Sequence, residues 1–319
     1  MAVTVVRYLF DQKISWGVVT SEGVIPVRQV FETTGDLLRG TTAKALRGLK
    51  GRPIPLADLQ ILSPVTRNQR FVCQGANYRQ HMLESGIDPD AKHHNMIFTK
   101  APSCIVPADA DVVRPGRVRF LDYEVELGLV LRRDITGPVT VTDDNLFEFI
   151  AGAVIVNDYS ARDIQIPEMQ FHKGKSFRTF GPVGPFLCLF EREDMPTLKD
   201  MELSLAVNGE VRQQDNTRNL VFGPAETLTE LSGVHDFAAG DLLATGTPSG
   251  CALAVPSPAR QRLGALLPEK MKWKIFFKIQ AKRSQYLQPG DVVETRICSA
   301  DGRIDLGVQR NRIVAEGEA

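Results

Sequence analysis

The sequence carries no excess of charge of either sign. Lysine plus arginine and aspartate plus glutamate both total 38, so the formal net charge is zero. Proteins that bind polyanions or anionic membrane surfaces usually carry a basic surplus. Bulk charge therefore indicates neither a nucleic acid nor a membrane as partner, and individual charged side chains must carry any electrostatic function.

Cysteine pairs and long apolar segments are also lacking. The five cysteines lie far apart and none stands in a C-x-x-C pair, which favours free thiols in a reducing compartment. No apolar run approaches the roughly 18 residues of a membrane-spanning helix. The N-terminal stretch has no basic leader before an apolar block and no small-residue cleavage site, so we expect a cytoplasmic protein.

The 319 residues, 43% of them hydrophobic, are enough for one large or two unequal domains. Residues 1–66 contain short apolar runs separated by turns and predict a small β-rich N-terminal domain. Residues 67–319 hold further strand candidates and few long amphipathic helices, which predicts an α+β fold with a mixed or antiparallel sheet. These candidates are FLDYEVELGLVL, GAVIVNDYS, LSLAVNGEV and DLLATG.

One segment breaks the even distribution of charge. Between Arg260 and Arg283 there are eight basic residues and one acid, Glu269. Within it, MKWKIFFKIQ nearly alternates apolar and basic residues, the pattern of a strand with one apolar face. We therefore predict an ordered strand or hairpin that packs its Trp273 face on the protein body or on a second subunit, with the lysines outward. The predicted apolar face consists of Met271, Trp273, Ile275, Phe277 and Ile279.

The strand candidate FLDYEVELGLVL carries the sharpest chemical signal. Side chains alternate along a strand, so Glu124 and Glu126 point to one face while Tyr123, Val125 and Leu127 point to a core. Two neighbouring carboxylates resist burial. Either this face is solvent-exposed or paired with Lys and Arg, or it holds a hard cation such as Mg²⁺.

A third carboxylate follows another strand candidate of core type. GAVIVNDYS ends its apolar run in Asn157 and Asp158, where functional groups often gather. Paired with the E-x-E strand, Asp158 would complete a three-carboxylate site. The residues alone leave the cation and its alternatives open.

Six segments, in this order, make the chain similar to the fumarylacetoacetate hydrolase family, in its acylpyruvate-hydrolase-like branch. The resemblance implies a mixed β-sheet or β-roll catalytic domain over residues 67–319, with a basic insertion at about 256–288, and a homodimer. The segments are GANYRQHMLESG, DYEVELGLVL, NDYSARDIQ, GKSFRTFGPVGP, GDLLATGTPSG and PGDVVETRI.

The resemblance implies that Glu124, Glu126 and Asp158 are the metal ligands. Some long members of the family add a fourth carboxylate from an earlier loop, but the matching residues 74–77 contain none. Mg²⁺ is the expected cofactor, with Mn²⁺ or Ca²⁺ as alternatives. Zinc is disfavoured because these motifs contain neither Cys nor His.

The same resemblance implies that His81 and Glu84 form a catalytic pair. Their three-residue spacing puts both on one face of a short helix, where a carboxylate could orient an imidazole that acts as general base. The residues alone favour a surface salt bridge at a helix end. His93 and His94 match no such motif, and we interpret them as loop residues.

Further positions match groups that hold the substrate's oxo and carboxylate oxygens, and each of these is a hydrogen-bond donor. They are Lys175, with a catalytic role, and Arg162, Gln165 and Thr247. Tyr78 and Lys100 are weaker candidates for the pocket wall. Arg178 stands where we expect an acidic or neutral residue in many relatives, a departure that bears on specificity. The loop GTPSG lacks a following GK[ST], so we expect no nucleotide site.

The resemblance implies a Mg²⁺-dependent enzyme that cleaves a C–C bond of a 2,4-dioxo acid, an acylpyruvate or fumarylpyruvate, to pyruvate and a carboxylic acid. The substrate is thus a small oxo acid. A decarboxylase or isomerase of 2-oxo or 2-hydroxy-dienoic diacids is the alternative. A non-catalytic binding protein would be expected to lack the ligands or the His81–Glu84 pair, and both are present.

Overall fold

The computed structural model describes residues 1–92, 94–255 and 266–318. His93, Arg260 and Arg262 therefore lie outside the described residues. The strands are β1 (Val3–Phe10), β2 (Lys13–Thr20), β3 (Gly23–Pro26), β4 (Gln60–Leu62), β5 (Phe71–Gly75), β6 (Met96–Lys100), β7 (Ile105–Val106), β8 (Val112–Arg114), β9 (Leu121–Asp122), β10 (Val125–Leu131), β11 (Ile150–Asn157), β12 (Ser160–Ala161), β13 (Gly181–Pro182), β14 (Leu187–Leu189), β15 (Met201–Val207), β16 (Glu210–Asn216), β17 (Leu242–Ala244), β18 (Val292–Ser299) and β19 (Asp305–Ala315).

Short helices connect these strands. The α-helices are α1 (Thr34–Gly40), α2 (Ala43–Arg47), α3 (Arg79–Glu84), α4 (Arg162–Glu168), α5 (Phe171–Lys175), α6 (Pro224–Ser232) and α7 (Glu269–Gln280). Single 3₁₀ turns or short 3₁₀ helices lie at Leu56–Asp58, Pro102–Cys104, Leu146–Glu148, Arg192–Lys199 and Thr217–Asn219. In the described part of the chain, no helix has both the length and the apolar character needed to cross a bilayer.

The described strands form two main sheets. The larger one has the order β3-β2-β1-β14-β11-β10-β17-β5-β6, with β4 paired to β1, and the smaller one has the order β16-β15-β18-β19-β8. Most neighbours are antiparallel, but β17 pairs with β5 in parallel. This mixture of sheets with few helices confirms the predicted α+β fold.

The N-terminal strands extend the larger sheet. Strand β1 lies antiparallel to β14, with Val3 opposite Leu189, and β14 in turn pairs with β11. Hydrogen bonding thus runs without interruption from residues 3–26 to the centre of the molecule. The predicted division of the chain at residue 66 stays a prediction.

Strands β10 and β11 are buried on both faces, as expected for continuous runs of aliphatic residues. Val125, Leu127 and Leu129 join the main core cluster, which also contains Leu203 and Val293 from the smaller sheet. Alternate residues face the other way. Val130, Val154 and Val156 belong to a second cluster with Trp16 and Leu242. The polar residues at the ends of β10 and β11 are therefore held between two packed layers.

The prediction of a strand or hairpin at residues 271–280 is wrong, because this segment forms the helix α7. The sequence fits both periods. Trp273, Phe276, Phe277 and Gln280 recur at the i, i+3, i+4, i+7 spacing of one helix face, and these are the less exposed residues. Lysine, glutamate and methionine also favour helices over strands.

In the helix, the apolar residues that the alternating pattern placed on one face differ in their exposure. Met271, Ile275 and Ile279 are 50%, 41% and 46% exposed, whereas Phe277 packs against the main core. The indole of Trp273 is half-buried and meets the ring of Phe276 edge-on, with centroids 5.8 Å apart. The lysines of the segment point outward as predicted.

Candidate metal centre and active site

The pairing of β10 with β11 brings three carboxylates together. In this antiparallel pair Val125 lies opposite Asn157, and the amide of Asp158 donates to the carbonyl oxygen of Glu124 at 2.8 Å. Glu126 is the second residue of β10. Residues far apart in sequence thus meet at one strand end, where Glu124, Glu126 and Asp158 each offer an oxygen within 4.8 Å of the others.

All three carboxylates are buried, with side chains from Glu124 at 5% exposure to Asp158 at 0%. Lys175 Nζ donates to Glu124 Oε2 at 2.6 Å and to Asp158 Oδ2 at 2.5 Å. Lys100 Nζ donates to Asp158 Oδ1 and, at 2.8 Å, to the carbonyl oxygen of Phe180. Two of the carboxylates are therefore compensated by ammonium groups.

Glu126 is not compensated in this way. Among the described residues, its side chain accepts one hydrogen bond, from the amide of Gly246 at 3.0 Å. Burial, together with Asp158 and Glu124, raises the pKa of Glu126 well above its usual value. By contrast, although burial opposes ionisation of Glu124, Arg162 and Lys175 lower the pKa of Glu124 to about 2.

These observations fit a divalent cation of the hard type. Three carboxylate oxygens converge, one of them without a positively charged partner, and such oxygen sets suit Mg²⁺, Mn²⁺ or Ca²⁺. The thiol of Cys251 lies nearby, with Sγ 4.0 Å from Glu124 Oε1. Burial raises the pKa of the Cys251 thiol well above its usual value, so it stays protonated and is a poor ligand.

Asp122 is a residue of this site that the sequence interpretation missed. It accepts a hydrogen bond from Arg162 Nε at 2.8 Å, and its two oxygens accept from the amides of Ala252 and Leu253 at 2.7 and 2.9 Å. Arg162 also donates to Glu124 Oε1 at 2.5 Å. Asp122 thus positions both the arginine and the backbone of residues 252–253. The sequence did contain a signal for Asp122, because this residue precedes Glu124 at the same two-residue spacing that separates the two glutamates.

Helix α4 begins at Arg162 and puts Gln165 one turn later on the same face. Arg162 Nη1 donates to Gln165 Oε1 at 2.9 Å, which leaves the amide nitrogen of Gln165 as a donor. Both side chains line a cavity of about 190 Å³ that opens beside the carboxylates. The predicted residues that line it are His81, Glu84, Glu124, Glu126, Arg162, Gln165, Lys175 and Thr247.

Tyr78, Lys100 and Arg178 do not line this cavity. Tyr78 is fully buried, and its hydroxyl has no hydrogen-bond partner among the described residues. Lys100 is buried against Asp158 and so acts on a carboxylate rather than at the wall. Arg178 is exposed. The structure gives no account of why an arginine stands there.

His81 and Glu84 lie on the same short helix, α3, as their spacing predicts. No hydrogen bond joins them among the described contacts, because Glu84 is exposed and accepts from Gln80 Nε2 at 3.3 Å. His81 Nδ1 is buried and has no partner in the described part of the chain. Burial lowers the pKa of His81, so its imidazole is neutral near pH 7. The catalytic pair stays a prediction.

The loop that follows β17 forms another part of the site. Gly246 has a φ of +90°, and a Cβ there would lie 2.9 Å from the Cβ of Asn77, so only glycine fits while its amide reaches Glu126. Thr247 Oγ1 accepts a hydrogen bond from Gln213 Nε2 at 2.9 Å. Gln213 also binds the amide of Val125 at 3.0 Å through its oxygen. The sequence carries no signal for Gln213, which belongs to the polar strand β16.

Comparison with known proteins places this chain in a family. A family model described as fumarylacetoacetate (FAA) hydrolase C-terminal matches residues 70–314. The oxaloacetate tautomerase YisK of Bacillus subtilis (strain 168) is 33% identical over 212 residues, which cover 66% of this chain and 68% of that protein.

Solved structures agree. The fumarylacetoacetate hydrolase from psychrophilic Exiguobacterium antarcticum is 27% identical and superposes with a TM-score of 0.71, covering 98% of this chain and 100% of that one. The 2-hydroxyhepta-2,4-diene-1,7-dioate isomerase from Mycobacterium marinum shares the fold, with a TM-score of 0.70 at 23% identity, covering 99% of this chain and 100% of that one.

Proposed function

Because the chain belongs to the fumarylacetoacetate hydrolase family, whose members are enzymes, we propose that it is a metal-dependent hydrolase of 2,4-dioxo acids. It would cleave the C3–C4 bond of an acylpyruvate to give pyruvate and a carboxylic acid. The observation that carries this proposal is the buried trio of Glu124, Glu126 and Asp158 beside a cavity that also holds a neutral histidine, His81.

Glu124, Glu126 and Asp158 would hold the cation, with Mg²⁺ as the first candidate. When bound, such an ion supplies Lewis-acid chemistry toward the vicinal carboxylate and 2-oxo oxygens of the substrate. Lys100 and Lys175 donate hydrogen bonds to two of the ligands, Asp158 and Glu124, and so orient them, in the way that outer partners tune metal ligands.

The chain's own residues perform the proton transfers. His81, neutral because it is buried, would take a proton from water, whose oxygen adds to the C4 carbonyl carbon. The third hydrogen of the Lys175 ammonium and the amide nitrogen of Gln165 would donate to the oxyanion at C4. The C3–C4 bond then breaks, the carboxylic acid forms, and pyruvate leaves as its enolate and takes a proton at C3.

A direct assay tests this proposal. Purified protein is incubated with an acylpyruvate in Mg²⁺ or in excess chelator, and pyruvate is measured with lactate dehydrogenase. We expect pyruvate release in Mg²⁺ and its loss in chelator, with recovery when Mg²⁺ or Mn²⁺ is restored. Full activity in chelator, or no pyruvate release from any acylpyruvate in either metal, would contradict the proposal.

A second candidate is isomerisation, tautomerisation or decarboxylation of a related diacid. It is favoured by the 33% identity to an oxaloacetate tautomerase. The same His81 could move a proton between C3 and oxygen without water attack. Absorbance changes of an enol without release of pyruvate or acid would support isomerisation or tautomerisation over hydrolysis, whereas release of CO₂ would support decarboxylation.

A further inference from the structure

The cavity has an apolar wall in addition to its acidic cluster. Its side chains come from four parts of the chain, and each is half-buried, so that part of its surface faces the cavity. At about 190 Å³ the cavity is smaller than the roughly 300–1,000 Å³ typical of sites for drug-sized ligands. The apolar wall consists of Ile87, Met96, Phe98, Ile166, Phe171 and Leu253.

The wall is built on regular elements and starts next to the reacting groups. Phe98 lies in β6 and Phe171 opens α5, and their rings meet edge-on with centroids 5.2 Å apart. Lys175 ends the same helix, and its Nζ lies 5.1 Å from the centroid of Phe98. A substrate whose oxo groups lie near Lys175 therefore extends along aromatic surface.

The charged side chains of the cavity limit which groups the far end of the substrate can carry. The described lining contains two cations, Arg162 and Lys175, and both are bonded to the acidic cluster. Outside the acidic cluster, the remaining charged side chain of the described lining is Glu84, which would repel an anion. Along the described lining, a second carboxylate on the substrate would meet apolar groups and a negative charge, and an unpaired charge in such surroundings is strongly disfavoured.

We propose that the substrate is a monocarboxylic 2,4-dioxo acid with a short, uncharged, apolar acyl group, which the apolar wall holds. This inference rests on the proposed function and deepens it. It separates this chain from enzymes that act on dicarboxylic acids such as 2-hydroxyhepta-2,4-diene-1,7-dioate or oxaloacetate.

A matched pair of substrates tests the inference. 2,4-Dioxoheptanoate and 2,4-dioxoheptanedioate differ only in a distal methyl group against a distal carboxylate. We expect kcat/KM, measured by pyruvate release in Mg²⁺, to be at least about 100-fold higher for the monoacid, the size of effect expected from an unpaired buried charge. Equal values, or a preference for the diacid, would overturn the inference.

A pair of variants locates the preference in the wall. Ile87→Lys places an ammonium on the cavity, whereas Leu83→Lys adds the same charge four residues earlier at a position that is 54% exposed and outside the lining. We expect Ile87→Lys to reduce the monoacid preference at least tenfold and Leu83→Lys to leave it unchanged. An equal change in both variants would mean that long-range charge, not the wall, sets specificity.

Binding separates this inference from the proposed reaction. 2-Oxohexanoate and 2-oxohexanedioate have no C4 oxo group and so cannot be hydrolysed, but they differ in the same distal group. Tighter Mg²⁺-dependent binding of the monoacid by calorimetry, with no pyruvate release from any dioxo acid, would refute the hydrolase and retain the preference for an uncharged, apolar distal group. Tighter binding of the diacid, or binding of neither acid, would overturn the inference itself.

Discussion

At the scale of single residues, Glu126 is the side chain whose environment most requires a cation. It is buried beside two other carboxylates, and in the described structure it has one hydrogen-bond donor and no positively charged partner. Its pKa is raised by burial, Asp158 and Glu124, so without metal it tends to hold a proton. A neutral isostere at this position should therefore preserve the fold but weaken metal binding.

We predict that Glu126→Gln lowers Mg²⁺ affinity by at least about 100-fold, since even the loss of outer partners costs 10- to 100-fold. Metal-free stability should be unchanged or higher, because the variant replaces a carboxyl group that is hard to ionise. Calorimetric titration and urea unfolding in chelator measure the two quantities. Glu84→Gln is the matched control and should bind Mg²⁺ like the parent. Unaltered affinity in Glu126→Gln would refute its role as a ligand.

The pH dependence should report His81. Burial lowers the pKa of His81 from 6.5, and Arg162 lowers it too, while Glu124, Glu84 and Asp122 oppose the shift. The neutral base is thus present down to a pH below 6.5, and kcat/KM at saturating metal should fall only as the pH drops through that lower pKa. The same shift adds stability above pH 6.5 that is lost as the pH falls below it.

The variant Glu84→Gln removes one of the groups that raise the pKa of His81. We therefore expect the acid limb of its pH profile to move to lower pH, while His81→Ala should lower kcat by roughly 10²–10⁴-fold. Metal occupancy must be checked at each pH by titration. An acid limb at or above pH 6.5 would show that another group controls the reaction.

Single residues also mark how far the sequence can predict the site. The sequence could predict that Glu124, Glu126 and Asp158 lie together, because alternation puts the two glutamates on one strand face, Asp158 ends a strand of core type, and the family motifs point to the same three positions. Asp122 follows the same alternation and was overlooked. The sequence alone offers no way to find Gln213, which also belongs to the site. Its contacts with Val125 and Thr247 depend on how β16 approaches β10, which local sequence does not encode.

At the scale of secondary-structure elements, α7 shows why an alternation of apolar and basic residues does not by itself identify a strand. Lys and apolar residues that alternate over a few positions also satisfy helix spacing, and the choice depends on what surrounds the segment. Here Phe277 meets Phe120 with ring centroids 5.8 Å apart, and Gln280 Nε2 donates to the carbonyl oxygen of Ala254 at 2.9 Å. Those partners are fixed by tertiary structure, so the sequence could not reveal them.

This packing predicts different effects at two positions of α7. Phe277→Ala should lower the free energy of unfolding by about 1–3 kcal/mol, less than for a fully buried ring, because Phe277 is half-buried against the main core. Met271→Ala, at a side chain 50% exposed, should change it by no more than about 0.5 kcal/mol. Urea unfolding of both variants measures the difference. Equal losses would show that the helix does not pack as described.

At the scale of the whole molecule, the oligomeric state stays a prediction. The family resemblance implies a homodimer, so light scattering should give twice the chain mass of 35.3 kDa. The measurement should be repeated over a range of protein concentrations, because a weak dimer dissociates on dilution. A mass of one chain at every concentration would contradict the prediction.

The continuous larger sheet determines how the molecule should unfold. Residues 3–26 pair through β14 and β11 with β10, which carries the proposed metal ligand Glu126. A ligand that binds only the native state at 100 times its Kd adds about 2.7 kcal/mol of stability. With an unfolding entropy of roughly 2.1 cal/mol/K per residue, this raises the Tm of a 319-residue chain by about 4 °C.

If the N-terminal strands unfold together with the sheet that they extend, calorimetry should show one transition, and Mg²⁺ should shift all of it. An independent domain over residues 1–66 would instead give a separate transition that Mg²⁺ leaves in place. Glu126→Gln provides the control, since its single transition should not respond to Mg²⁺. Two transitions, of which only one responds in the parent protein, would support the boundary at residue 66 and contradict cooperative unfolding through β1 and β14.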